Sequence, residues 1–138
     1  MVAPTVDVNA AYAAVSAEIA PSLPTGVKVY RPGKVPGWNG NTGSLPQMWV
    51  QLTIERRYTE TTHGVRARTR TAFRAYVRSV ADTEHNADEL TRCCTEVLED
   101  ALLTVDGDAS TPVEHETSEA VRPDDGKFSG LTAFTFTL

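Results

Sequence analysis

The residues in this chain that could carry chemistry are three histidines, two adjacent cysteines, a pair of aspartates and a row of arginines. His63, His85 and His115 fall in a polar turn, at a helix start and in a candidate strand, a spacing that does not suggest one metal site. His115 lies between Glu114 and Glu116. Alternation along a strand sends those two carboxylates to the face opposite the imidazole, so the three do not form a cluster. Cys93 and Cys94 are neighbours in sequence, where a mutual disulfide is strained, and they lack the C-x-x-C spacing of zinc and redox sites. They read as two small residues on a helix. Asp124-Asp125-Gly126 is turn chemistry before it is acid–base chemistry. The chain holds no G-x-x-x-x-G-K-S/T phosphate loop, no G-x-G-x-x-G, no H-E-x-x-H and no G-x-S-x-G. The expectation is a protein with no catalytic residue, no metal and no cofactor.

The arginines are the unusual feature. Seven of the ten fall between Arg56 and Arg78, and Arg66, Arg68, Arg70, Arg74 and Arg78 share one parity. Arginine is favoured in interfaces because its planar head grips carboxylates with two bonds and stacks on aromatic rings. Two ligands answer such a row, phosphates or protein carboxylates. The net charge of −5 divides unevenly. Residues 1–80 hold 10 Lys/Arg against 4 Asp/Glu, and residues 81–138 hold 3 against 14. Carboxylates are therefore available in the chain itself, and an overall negative molecule is repelled by nucleic acid at long range. The basic half of one copy is expected to meet the acidic half of the next. Such a contact is heterologous, so it closes a ring or grows a filament.

The elements that must position these residues follow from periodicity. Val8, Ala11, Tyr12, Val15 and Ile19 make one apolar stripe on a helix over about residues 7–20, stopped by Pro21 and Pro24. Val27–Tyr30 is a short strand. Residues 31–46 hold four glycines and three prolines and make a long loop, with Trp38 near its middle. That loop is expected either to fold back on its own domain or to order against a partner, with Trp38, Lys34 and Asn39 as contact residues. Residues 47–58 and 65–79 alternate, putting Met48, Val50, Leu52, Ile54, Phe73, Ala75 and Val77 on one face. Trp49 joins the arginines on the other face. A turn near residues 61–62 pairs Ile54 with Thr69, Val50 with Phe73, Glu55 with Arg68 and Trp49 with Arg74. A helix capped by Asp82 or Thr83 then runs about 20 residues to Leu103, and two strands flank the Asp-Asp-Gly turn. The order α-β-β-β-α-β-β predicts a single domain over residues 1–138, an α+β two-layer sandwich. Two helices cover one face of a mostly antiparallel or mixed sheet. No apolar run is long enough to cross a membrane. Residues 1–10 carry Asp7 and no Lys or Arg, so a secretory leader is not expected.

This arrangement resembles the tail terminator proteins of long-tailed bacteriophages, the family of the lambda tail terminator. The resemblance spans nearly the whole chain. It rests on the element order and on Leu23-Pro24-Thr25-Gly26-Val27, then Val29-Tyr30, leading into a Gly/Pro loop. It rests also on the long hairpin, the helix from Glu84 to Leu103, and Arg122-Pro123-Asp124-Asp125-Gly126 before a last strand. The resemblance implies a virion protein, assembled in the host cytoplasm, that forms a hexameric ring. Such a ring sits on the end of the tail tube, stops tube polymerisation and offers a surface to the head–tail connector or head-closure protein. Genomic DNA passes through its lumen without specific binding, and no cofactor or catalytic residue belongs to the family. Passing DNA must slide, so the arginines are expected at subunit or tube contacts and not on the lumen wall. The subunit or partner interface is accordingly assigned to Arg66, Arg68, Arg70, Arg74, Arg78 and Trp49. Two other readings stand beside this one: another neck protein (head-closure or minor tail component), and a nucleic-acid-binding module using the arginine hairpin.

Overall fold

A computed structural model describes residues 7–61 and 69–138. Helix α1 (Val8–Ile19) starts where the Asp7 carboxylate accepts from the Asn9 amide at 2.9 Å. It buries Ala11, Val15 and Ile19, one residue per turn, and ends in a 3₁₀ turn over Ala20–Ser22 where Pro21 removes a donor. Strands β1 (Lys28–Tyr30), β2 (Trp49–Thr61) and β3 (Thr69–Ala81) follow, then helix α2 (Glu84–Leu98). Two-residue strands β4 (Thr104–Val105) and β5 (Asp108–Ala109) form a separate small ribbon that the sequence did not announce. Strands β6 (Glu114–Asp124) and β7 (Lys127–Thr137) close the chain.

Five strands form one sheet in the order β1-β2-β3-β7-β6, with β1 parallel to β2 and the other pairs antiparallel. The fold is α+β, with both helices against one face of a mixed sheet. Phe73 and Phe136 stack at 5.5 Å on that face, beside Val50, Leu52, Val77 and Phe134 and beneath α1 and α2. Alternation puts these side chains on the core face, as expected. Gly130 lies where α2 comes close. A Cβ there would sit 3.0 Å from Val121 Cγ2 and 3.3 Å from Thr91 Oγ1.

Two expectations need correction, and one alternative is decided. The β2–β3 register lies six residues from the predicted one. Ile54 pairs with Ala75, Leu52 with Val77, Glu55 with Arg74 and Trp49 with Val80. Because the displacement is even, the side chains of β2 as far as Arg56 keep their faces and only their neighbours change. A bulge between Arg56 and Tyr58 then shifts the outer part of the ladder. Secondly, α2 stops at Leu98 and not at Leu103. Asp100 turns left-handed at φ 63° and donates its amide to Val113 O, and Val113 donates back to Ala101 O. The chain thus exchanges helical bonds for strand-like ones. Leu103 turns inward and Leu102 is left 69% exposed. Of the two caps expected for α2, Thr83 is the one used, accepting from the Asn86 amide at 3.1 Å. Asp82 instead pairs with Lys127.

Candidate interaction face

The sheet face away from the helices carries the arginines. Cross-strand pairing sets its rows: Glu55, Arg74, Thr135 and Glu114 in one, and Gln51, Arg78, Leu131 and Glu119 in another. Arg74 is held from two sides. Its guanidinium donates to Tyr76 Oη at 3.1 Å and to Glu116 Oε2 at 3.2 Å, and Nε lies 3.0 Å from Glu116 Oε1. Arg57 reaches the same carboxylate at 3.6 Å. The bond to Tyr76 and then the Glu116 charge raise Arg74 above the ordinary arginine pKa against the opposing effect of desolvation, so it stays charged at any working pH. A carboxylate of the acidic half therefore meets the basic half inside one chain. The charge pairing expected between copies is partly satisfied internally.

Arg78 is held differently. It donates to Ser129 Oγ at 3.2 Å, and Ser129 donates to Asp124 Oδ2 at 3.2 Å. Two hollows meet at Arg78. One of about 540 Å³ is lined by Arg78, Arg122, Pro123, Asp124 and Ser129. The other, of about 200 Å³, is lined by Gln51, Thr53, Tyr76, Arg78 and Leu131. Arg70 is exposed further along β3. Arg66 and Arg68, assigned to the same face, lie outside the described residues, as does His63.

Trp49 is not on the open surface, which corrects its assignment as a contact residue. It is fully buried and faces Val80 in the ladder, and the cation over its ring is Lys127 at 5.8 Å instead of Arg74. The Gly/Pro loop covers it. Val35 is buried against Trp49 and Val80, and Trp38 meets Trp49 edge-on at 5.2 Å. Of the two fates expected for the loop, the structure thus shows it folded on its own sheet. The Asn41 side chain pins it by donating to Gly33 O and Val35 O, both at 2.9 Å. Gly37 holds φ 70° where a Cβ would come within 2.7 Å of Leu45 N. Lys34 and Asn39 remain exposed on its outer side.

The other candidate groups do not converge. His115 packs its ring against Phe134 at 5.7 Å and shares a hydrogen bond with Ser118 at 2.7 Å. Glu116 points to the opposite face, as alternation predicted. Burial, with a smaller push from Cys93, raises the Cys94 thiol to about 12, so it is neither a nucleophile nor a ready metal ligand. Among the described residues no three of His, Cys, Asp or Glu gather to hold a metal ion, and no helix is long and apolar enough to cross a membrane. Tyr76 has the same parity on β3 as the arginines. Glu116 and Ser129 were missed, because only the β7 pairings bring their strands across the sheet to Arg74 and Arg78.

No protein-family model matches the chain, and no curated protein matches it. Eight solved chains are similar in structure. One of them, whose name carries no functional description, has a TM-score of 0.64 and 11% identity, over 96% of this chain and 96% of that one. At that identity the likeness speaks for the fold alone. It supports an α+β architecture running through nearly the whole chain.

Proposed function

We propose that this chain is a structural virion protein that caps a phage tail tube as a hexameric ring. The ring ends tube polymerisation and presents a surface to the head–tail connector or head-closure protein. It assembles in the host cytoplasm and ends in the neck of the virion. The observation that carries this reading is the open sheet face. Half-buried arginines stand there in fixed positions, while the acidic excess of residues 81–138 is spread over α2, the β4–β5 ribbon and the outer strand β6. Two unlike, charge-complementary surfaces on one chain suit head-to-tail contact, which closes into a ring. The resemblance to the tail terminators points the same way.

A nucleic-acid-binding role has less support. Glu116 occupies Arg74 and Arg57, and the same face carries Glu55 and Glu114. Those carboxylates repel a polyanion. In this reading DNA passes through the ring without touching the arginine face. Tube-length measurement tests it. Adding the protein to polymerising tail-tube subunits from the same phage should stop growth and give short, uniform tubes. Tubes that grow to the same lengths with and without it contradict the proposal.

A further inference from the structure

Arg74 and Arg78 lie on one strand face, four residues apart, and meet different fates. Arg74 is paired with the Glu116 carboxylate and bonded to Tyr76. Arg78 has a neutral hydroxyl as its hydrogen-bond partner, and the nearby Asp124 carboxylate is already bonded by that same Ser129. Among the described residues Arg78 makes no direct ion pair. Across the hollow stands Arg122, 69% exposed, with its guanidinium 3.9 Å from Glu119, a long and weak contact. Two arginines thus line one cavity with a single acidic wall residue, Asp124, which accepts from Ser129 and forms no ion pair with either among the described residues. A half-buried arginine gains most from a bidentate carboxylate, and the hollow of about 540 Å³ has room for a side chain bringing one.

We infer that the groove centred on Arg78 and Arg122 receives an aspartate or glutamate side chain from a second copy of this chain. Charge complementarity chooses the occupant. The chain has 14 acidic residues against 3 basic ones in residues 81–138. Several of these are exposed on elements that do not line the groove, among them Asp106 and Asp108 at the turn of the small ribbon and Glu84 and Asp88 on α2, the last two beside Ala120 and Val121 of β6. Donor and acceptor surfaces are therefore different, as head-to-tail assembly requires. The inference rests on the ring reading and names the contact that would close the ring.

Sedimentation velocity on the full chain, alone and bound to tail tubes, tests it. The variants are Arg122→Glu, at an exposed position that leaves the fold intact, and Arg78→Gln, with thermal melts confirming that each is folded. Wild type should associate, and association should weaken as salt rises from about 50 to about 500 mM. Folded Arg122→Glu should associate about tenfold or more weakly, and Arg78→Gln likewise. If wild type forms rings and folded Arg122→Glu forms them equally well, the groove is not the contact while the ring reading stands. If wild type forms no ring, free or on tubes, the ring reading fails and takes this inference with it. Loss of DNA binding in Arg122→Glu with assembly unchanged would also overturn it.

Discussion

At the scale of single residues, burial decides what the reactive groups can do. Cys94 sits 1% exposed in the core, and its thiol is pushed up to about 12. At pH 8 only about one part in ten thousand is thiolate, so a thiol reagent should label it only when the protein unfolds. The shift also sets a pH dependence. Between about pH 9 and pH 12 the folded state keeps a proton that the unfolded state has released, so stability falls as pH rises through that window. The slope is about 1.4 kcal/mol per pH unit from this group. Thermal melts from pH 7 to pH 11 should show a loss beginning near pH 9, which Cys94→Ala should lessen. Phe134 is fully buried at the centre of the core. Truncating it to alanine should cost about 3–5 kcal/mol, a large part of the stability of a small domain, measured by denaturant titration. The face of each such residue was legible from its parity. The partners of the arginines were not, because Glu116 and Ser129 approach through strand order, which local pattern does not encode.

At the scale of elements, side-chain period and caps are local and the rest is not. The alternation in β2, β3 and β7 and the stripe of α1 follow from residue spacing alone. The hairpin register depends on where the turn falls, and alternation permits any even displacement. Up to the bulge after Arg56, the true register differs from the expected one by six residues without moving a side chain to the wrong face. The end of α2 was misplaced because Ala101 and Leu102 continue the apolar spacing. The left-handed Asp100 and its bond to Val113, distant in sequence, break it earlier. Thr83→Ala removes the cap of α2 and should cost about 1 kcal/mol. The loop 31–46 was recognisable as a loop from its glycines and prolines, but the tryptophan it would cover was not, since Trp49 shares parity with the exposed arginines. Gly37→Ala meets both a left-handed backbone and a 2.7 Å approach to Leu45 N. It should loosen the loop, and the fluorescence of Trp38 and Trp49 should shift toward that of solvated tryptophan while the helical circular dichroism is retained.

At the scale of the whole molecule, the uneven charge acquires a location. The positive share lies on one sheet face and is partly neutralised by Glu116. The negative share lies on α2, the small ribbon and β6. In the proposed ring, the carboxylates of α2 and the small ribbon are the ones left for a neighbour's arginines, since those of β6 share the arginine face and Glu116 already pairs within the copy. The central claim is that copies of this chain close into a ring on the end of a tail tube, with the arginine face between subunits. Electron cryomicroscopy of tail tubes mixed with the protein tests it most directly. The result expected is a ring of six copies on one end of the tube, with Arg78 and Arg122 at the subunit boundary and none of the arginine face lining the hole. Bare tube ends, or a ring whose lumen is lined by Arg70, Arg74 and Arg78, would contradict it.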